Sequence, residues 1–284
     1  MPVERILAPG LYLVATPIGN LEDITLRALR VLKQADLIAC EDTRQTQKLL
    51  NHFGIEKPTI SYHEHNEGGR AAELIERLAQ GARIAMVSDA GTPGISDPGF
   101  RLIALAVERQ LEVVPIPGPA ALIAALVPSG FPLHPFSFRG FLPPKSGARR
   151  RALDEIRESK QTEIFYEAPH RIREALEDVV ATLGAERRVV VARELTKIHE
   201  EFLRGTATEI LAIANARGEL KGEIVLLIGP AAENAAPVPT LSVRERVDQL
   251  MRDDKLDEKA ALKKIAKERG ISKSEAYREM QRRG

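Results

Sequence analysis

Short apolar runs alternate with amphipathic stretches through the first 116 residues of the chain. The run 11–16 ends at Pro17 and has the length of a buried strand, and Leu26, Leu29 and Leu32 then recur at helical spacing. The alternation goes on with predicted strands 36–40, 59–62, 83–87 and 112–116 and predicted helices 44–52, 70–78 and 100–109. Strands that alternate with helices predict a mostly parallel sheet covered by helices.

A second series of the same kind follows a stretch rich in proline, glycine and serine at 128–135, which is typical of a linker. Its predicted strands are 136–141, 163–166, 188–192, 201–204 and 223–228, and its predicted helices are 149–158, 171–183 and 206–216. After a second linker at 231–239, two capping boxes, Ser242 to Glu245 and Ser272 to Glu275, predict helices separated by Gly270. The pattern therefore predicts two α/β domains, 1–127 and 128–232, with mostly parallel sheets and a ligand cleft between them, followed by a small helical domain, 240–284.

Composition narrows the class of protein. The single cysteine, Cys40, excludes a disulfide framework and a cysteine-based zinc site. The start of the chain has no secretory pattern, and the longest apolar run, 120–127, is too short to span a membrane, so we expect a cytoplasmic protein without membrane contact. The net charge of +1 hides an asymmetry, because 240–284 carries an excess of four positive charges and the rest an excess of three negative ones.

Three loops rich in proline and glycine follow predicted strands of the first sheet. The longest, SDAGTPGISDPG at 88–99, is too long for a simple turn, and its glycines allow close approach to a ligand. The others are 16–20 and 117–120. Because ligands bind at the carboxyl edge of open parallel sheets, the loops predict one binding site. The segment 140–146 resembles a phosphate-binding loop, but Pro144 replaces its second glycine, which argues against phosphate transfer.

These loops also carry a family resemblance. VATPIGNL at 14–21, the 88–99 loop, PGP at 117–119 and FYEAPHR at 165–171 resemble the tetrapyrrole methylase superfamily, the class III S-adenosylmethionine methyltransferases, over about residues 9–230. SDAG at 88–91 stands where corrin-pathway members carry Gly-Asp-Pro, so the chain is most similar to the RNA-modifying branch. The resemblance implies a homodimer that transfers methyl from S-adenosylmethionine to the ribose 2′-hydroxyl of a cytidine in small-subunit ribosomal RNA, free or within the small ribosomal subunit.

The resemblance also implies which residues contact the cofactor. They lie in the three loops and at the end of one strand of the second sheet, where Tyr166 would flank the cofactor from the other side. The set is Pro17, Gly19, Asp89, Ala90, Gly91, Thr92, Gly94, Ile95, Pro119, Ala120, Ala121 and Tyr166.

A 2′-hydroxyl is a poor nucleophile at neutral pH, so we expect a base or a nearby cation at the acceptor. Three polar clusters compete for this role: 41–44, 167–171 and 192–197. Helix capping alone would explain the first two, and surface ion pairing would explain the third. Our catalytic hypothesis is Glu167 as base or orienter, with Arg193, Glu194 and Lys197 around the acceptor. In the third cluster, a Lys197 with a depressed pKa, or Glu194, could serve.

His63 and His65 have the spacing of two metal ligands on a strand, but no third ligand motif accompanies them, and we expect no metal. An Arg/Lys cluster without intervening acidic residues predicts contact with RNA phosphates, because three consecutive arginines oppose the dipole of a helix start. The predicted RNA-binding residues are Arg139, Lys145, Arg149, Arg150 and Arg151, with Lys273 and Arg278 from a helix-turn-helix-like tail.

Two other functions remain open from the sequence. The tail would also suit a nucleic-acid-binding regulator whose α/β part senses a small ligand. A methyltransferase acting on a small tetrapyrrole is the other, although it would leave the tail and the basic cluster without a role.

Overall fold

Two five-stranded sheets organise the larger part of the chain in the computed structural model. The structure describes residues 6–218, 220–231, 247, 250–251, 257–269, 277–278 and 280. They belong to two compact units, Met1–Ala231 and Ala232–Gly284. Both sheets lie within the first unit.

The first sheet is parallel throughout, in the order β3-β2-β4-β1-β5. Its strands are β1 (Gly10–Val14), β2 (Leu37–Cys40), β3 (Thr59–Ser61), β4 (Arg83–Val87) and β5 (Val113–Ile116), joined by α1 (Leu26–Gln34), α2 (Thr43–His52), α3 (Glu67–Ala79) and α4 (Phe100–Glu108). The helices bury two apolar clusters against opposite faces of the sheet. This confirms the parallel α/β architecture predicted for the first half, with boundaries that differ by a few residues.

The second sheet has the order β6-β7-β10-β8-β9, and the prediction that it is mostly parallel is wrong. Only β6 and β7 pair in parallel, whereas the other three pairs are antiparallel. Its elements are β6 (Phe136–Phe141), α6 (Ser146–Asp154), β7 (Thr162–Glu167), α7 (Ile172–Leu183), β8 (Arg188–Arg193), β9 (Glu201–Thr206), α8 (Ala207–Arg217) and β10 (Ile224–Ile228). The connection from β8 to β9 is too short for a parallel crossover, and β10 enters the sheet between β7 and β8 in the opposite direction.

A helix that the sequence pattern did not predict, α5 (Ala121–Leu126), lies between the last strand of the first sheet and the second sheet. Leu122 and Leu126 are buried in one cluster with Ile164, Val190 and other residues of β7, β8 and β10. The run 120–127 is apolar on every side, so it has no amphipathic period that would mark it as a helix. Its packing anchors the end of the 117–120 loop to the second sheet.

In the second unit, α9 (Glu258–Arg269) buries Ala261, Leu262 and Ile265 together with Val247 and Leu250. Both predicted capping boxes of the tail, Gly270 and Lys273 lie outside the described residues. Arg278 is described, in a helical position and exposed. Nowhere in the described ranges does a helix combine the length and the apolar character needed to cross a bilayer.

Candidate active site

The three proline- and glycine-rich loops meet at the carboxyl edge of the first sheet. Thr16 and Gly91 exchange two backbone hydrogen bonds, of 2.9 and 3.0 Å, and the Thr16 hydroxyl donates to the Ser88 carbonyl at 3.1 Å. The Thr92 hydroxyl donates to the Pro119 carbonyl at 3.2 Å. These bonds fix the 16–20, 88–99 and 117–120 loops to one another, so the loops form one rigid edge.

A cavity of about 340 Å³ opens beside this edge. One wall comes from the three loops and from α5, and the other comes from the ends of β6, β7 and β8 and the start of β10. The lining residues are Ile18, Ala90, Gly91, Thr92, Ile95, Ser96, Asp97, Ala120, Ala121, Leu122, Phe141, Tyr166, Glu167, Ala168, Pro169, Leu195, Gly222, Glu223, Ile224 and Val225. Its size is that of a site for a small organic ligand.

Seven of the residues predicted to contact the cofactor line this cavity: Ala90, Gly91, Thr92, Ile95, Ala120, Ala121 and Tyr166. Pro17, Gly19, Asp89, Gly94 and Pro119 belong to the same loops but are absent from the lining. Asp89 instead accepts a hydrogen bond from the backbone N–H of Asp42 at 3.1 Å. For these five residues, contact with the cofactor stays a prediction.

The chemistry of the lining suits a mostly apolar ligand that carries positive charge. Its charged side chains are the carboxylates Asp97, Glu167 and Glu223, and none of the described lining residues is basic. Tyr166 presents an aromatic ring that packs edge-on against Phe138, with the ring centroids 4.8 Å apart. S-adenosylmethionine offers an adenine ring to the apolar and aromatic part of this lining, and a sulfonium and an ammonium cation to its carboxylates, whereas a phosphate-bearing ligand would meet like charge.

Glu167 lies at the end of β7 and is almost completely buried. Its Oε1 accepts hydrogen bonds from the Ala168 N–H at 2.7 Å and from Arg171 at 2.6 and 2.9 Å, whereas its buried Oε2 has no partner among the described residues. The same oxygen thus receives every hydrogen bond from the turn that follows β7, and Glu167 anchors that turn. The geometry therefore favours the orienting role of Glu167 over the role of base.

The other predicted catalytic residues form an ion-paired loop after β8 at the rim of the cavity. Lys197 Nζ lies 2.7 Å from Glu194 Oε1 and 3.2 Å from Glu223 Oε2. Burial lowers the pKa of Lys197, but the two carboxylates outweigh it and the pKa is raised overall, so the idea that Lys197 has a depressed pKa is wrong. The hydrogen bond from Lys197 lowers the pKa of Glu194, and Arg193 contacts Glu201 at 3.4 Å. At neutral pH both members of the Lys197–Glu194 pair are charged.

The cluster 41–44 behaves as a helix cap. Asp42 Oδ1 accepts from the Arg44 N–H at 2.8 Å at the start of α2, and its side chain also pairs with the Arg44 guanidinium at 2.7 Å. His63 and His65 lie with their ring centroids 5.9 Å apart. Within the described ranges, no three histidine, cysteine, aspartate or glutamate side chains are grouped as a metal site.

The predicted basic cluster is split by the fold. Arg139, Lys145, Arg150 and Arg151 are exposed, and Arg139 is also bound to Glu163 at 2.6 Å. Arg149, by contrast, is 1% exposed and lies 2.7 Å from Asp178, so the prediction that it contacts phosphate is wrong.

Helix α6 begins earlier than the sequence predicts, which changes the position of the three arginines within it. The helix begins at Ser146 rather than at residue 149, so the three arginines fall beyond its first turn and do not oppose its dipole. Arg149 lies on the buried face of α6, next to Asp178.

Asp97, which was not among the predicted site residues, has the most strongly shifted pKa of the carboxyl groups at the site. Burial, together with the nearby carboxylates of Glu41 and Asp89, raises the pKa of Asp97 to about 7. In the sequence it is the second aspartate of the 88–99 loop and stands directly before Pro98 and Gly99. A strongly shifted pKa within a cavity is typical of functional residues.

Because Gly222 has no side chain, the backbone before β10 lies directly against the Glu194 carboxyl group. Gly222 has a φ of +94°, and a Cβ there would overlap the Glu194 carboxyl group. We expect Gly222→Ala to displace Glu194, weaken its pair with Lys197 and lower the melting temperature by several degrees more than Gly184→Ala does. Gly184 has a φ of +99° and nothing within 4 Å of its added Cβ, so it isolates the backbone cost. Calorimetry of the two variants makes the comparison, and equal losses would contradict the role assigned to Gly222.

Comparison with known proteins agrees with this geometry. The family model of tetrapyrrole (corrin/porphyrin) methylases matches residues 10–211. The chain is 48% identical to the ribosomal RNA small subunit methyltransferase I of Halalkalibacterium halodurans, over 94% of this chain and 93% of the relative. It is 47% identical to the protein of the same name from Synechocystis sp., over 94% of this chain and 95% of the relative.

The fold is also found among solved structures. A crystal structure of diphthine synthase superposes with a TM-score of 0.62, covering 77% of this chain and 89% of that one, at 15% sequence identity. At that level of identity the likeness concerns the fold alone.

Proposed function

The chain belongs to the tetrapyrrole (corrin/porphyrin) methylase family, and from this premise we propose that it methylates the ribose 2′-hydroxyl of a cytidine in small-subunit ribosomal RNA. The family match and the relatives confirm the expectation of an S-adenosylmethionine-dependent methyltransferase. The observation that carries the substrate is the 47–48% identity, over 94% of the chain, to relatives named ribosomal RNA small subunit methyltransferase I. The choice of the 2′-hydroxyl and of cytidine rests on the resemblance of the motifs.

The cavity accounts for what the chain does with the cofactor. S-adenosylmethionine supplies a methyl group bonded to positively charged sulfur. Ala90, Gly91 and Ala120 would leave room for it at the loop edge, and Tyr166 would enclose it from the second sheet. The acidic lining would favour binding of the cationic cofactor, and the apolar walls would exclude water from the transfer. Glu167 holds Arg171 and the turn that follows β7, which keeps that wall in place.

The direct test uses small ribosomal subunits from cells that lack the enzyme, free ribosomal RNA, a tetrapyrrole and duplex DNA. Incubation with radioactive S-adenosylmethionine is expected to label the RNA or the subunits, and nucleoside analysis is expected to find 2′-O-methylcytidine. Label on a base or on the tetrapyrrole would refute the proposed substrate. A DNA gel shift without any methyl transfer would instead support a ligand-sensing regulator.

The exposed part of the basic cluster is the proposed contact with RNA phosphates. Lys145 and Arg151 are both exposed on the α6 side of the second sheet. We expect the double variant Lys145→Ala/Arg151→Ala to bind small subunits about 10-fold more weakly near physiological salt and to reduce the salt slope of binding by about 2. Arg27→Ala/Lys33→Ala removes two exposed charges from α1 and serves as the matched control. Equal weakening by both pairs would show only a general effect of charge.

The homodimer and the cytoplasmic location are part of the same proposal. Several large apolar side chains are strongly exposed in the first unit, among them Leu26, Phe100 and Ile198 at 87, 79 and 97%. A second copy would cover such side chains where they share a face. Light scattering of the purified chain measures the association, and a monomer at micromolar concentration would contradict it. The cytoplasmic location follows from the proposed substrate.

A further inference from the structure

Asp97 occupies a constrained place in the cavity wall. It is the last of three consecutive lining residues, after Ile95 and Ser96. Ser96 has a φ of +60°, a left-handed conformation that is unfavourable for a residue with a Cβ, and its hydroxyl approaches Gly140 of β6. Strained backbone of this kind persists where the surrounding structure holds it, and it is concentrated at functional sites. This conformation lies directly before Asp97, which lines the cavity.

The three carboxylates of the lining differ in how they are held. Glu167 is paired with Arg171 at 2.6 Å, and Glu223 is largely exposed and lies 3.2 Å from Lys197. Across the described residues, no hydrogen bond or ion pair engages the Asp97 carboxylate. Asp97 is therefore the lining carboxylate that no arginine or lysine of the described residues engages, whereas Glu167 and Glu223 are each paired with a cation.

The groups around Asp97 make it a stronger base than an ordinary aspartate. Burial disfavours its charged form, and Glu41 at the end of β2 and Asp89 at the end of β4 add negative charge. From the second sheet it faces Tyr166, whose pKa is raised by burial and by the charge of Asp97. None of these neighbours is a cation that would hold the carboxylate ionised. With a pKa of about 7, the group is suited to accept a proton under physiological conditions.

We propose that Asp97 is the catalytic residue that accepts the proton of the RNA hydroxyl during methyl transfer, an inference that rests on the proposed function. The hydroxyl O–H bond breaks and its proton passes to the Asp97 carboxylate. The oxygen forms a bond to the methyl carbon as the carbon–sulfur bond breaks, and the electron pair of that bond stays on sulfur. The products are a 2′-O-methyl group, neutral S-adenosylhomocysteine and protonated Asp97, which then releases its proton to solvent.

The experiment compares Asp97→Asn with the unchanged chain in single-turnover methylation of small subunits between pH 5 and 9. The unchanged chain is expected to gain rate with rising pH through an apparent pKa at or below about 7, because a cationic cofactor lowers the pKa of a nearby carboxylate. Asp97→Asn is expected to be 10²- to 10⁴-fold slower, about the usual contribution of a general base, and to lose this limb of the pH profile. Its affinity for S-adenosylmethionine, from calorimetry, is expected to fall by less than about 10-fold, because Glu167 and Glu223 still face the cationic cofactor.

Thermal stability provides a readout that separates catalysis from misfolding. The pKa of Asp97 in the folded chain is above that of an unfolded aspartate, so its ionisation destabilises the fold as pH rises from about 4 to 7. Asp97→Asn is therefore expected to melt higher than the unchanged chain at pH 8, with a smaller difference at pH 5. The matched control is Asp36→Asn at the amino edge of the first sheet, where the hydrogen bond from Arg83 lowers the pKa of the carboxyl group. It is expected to melt lower at pH 8 and to keep normal activity.

The outcomes separate this inference from the proposed function. If the unchanged chain methylates no ribosomal RNA, the proposed function fails. If it does and Asp97→Asn matches it in rate and pH profile, the inference about Asp97 is wrong. A large loss of S-adenosylmethionine affinity in Asp97→Asn would also overturn it, because Asp97 would then hold the cofactor rather than accept the proton.

Discussion

Ala121→Trp is expected to weaken S-adenosylmethionine binding at least 100-fold and to leave the chain folded. Ala121 is the first residue of α5 and lines the cavity of about 340 Å³ without being part of the fully buried core. A ligand of this size buries most of its surface in its site, so an indole in that space cannot coexist with it. The neighbouring Leu122 and Leu126, which hold α5 against the second sheet, are unchanged.

Ligand-induced stabilisation measures the effect. For the unchanged chain, cofactor at 100 times its dissociation constant adds about 2.7 kcal/mol of stability, which is about 5–10 °C in melting temperature for a unit of this size. The shift is expected to vanish for Ala121→Trp, whose melting temperature without ligand stays within a few degrees. Ala104→Trp, at an exposed position on α4, is expected to keep the full shift. Normal cofactor affinity in Ala121→Trp would place the cofactor outside this cavity.

The sequence predicted the first sheet well because its signals are local. Each strand of that sheet is a short apolar run between turn residues, and each helix from α1 to α4 shows its own apolar period. Helix α5 lacks such a period, since every side of it is apolar, and its packing against the second sheet is visible only in the fold. The antiparallel pairing of β10 with β7 and β8 depends on where a distant strand inserts, which no local pattern records.

The candidate site was likewise predictable only where its residues belong to local sequence motifs. The loop motifs identified most of the cavity wall on the first sheet, because glycine and proline at strand ends are visible in the sequence. The start of β10, with Gly222 and Glu223, reaches the cavity only through the tertiary fold. The sequence does not distinguish Asp97 from Asp89, which lies in the same loop. Both carboxyl groups have a raised pKa in the structure, but of the two only Asp97 lines the cavity.

Arg149→Ala is expected to destabilise the first unit by about 3 kcal/mol and to leave RNA affinity unchanged. Arg149 is 1% exposed, and its Nε lies 2.7 Å from Asp178, which is 3% exposed. Loss of one partner of a buried pair costs about 3–5 kcal/mol, because the remaining charge stays desolvated. Ser146 and Arg150 still bind Asp178, which places the expected loss at the lower end of that range.

The pH dependence of this stability follows from Asp178, the buried partner of Arg149. Burial raises the pKa of Asp178, but hydrogen bonds from Arg150, Arg149 and Ser146 outweigh it and lower the pKa overall. The stability that these contacts provide is therefore present above the pKa of an unfolded aspartate, about 4, and is lost as pH falls through the lower folded value. The difference between Arg149→Ala and the unchanged chain should accordingly shrink in acid.

Two further variants decide between a buried structural pair and an RNA contact. Arg150→Ala removes a guanidinium that is 55% exposed, and it is expected to cost no more than about 1 kcal/mol. Arg149→Met/Asp178→Leu removes both charges and is expected to recover most of the lost stability, because apolar groups of similar size avoid the desolvation cost. Denaturant unfolding measures all three changes, and subunit binding is measured below the melting temperature of each variant. An unchanged stability of Arg149→Ala with a weakened affinity for small subunits would restore Arg149 to the RNA-binding surface.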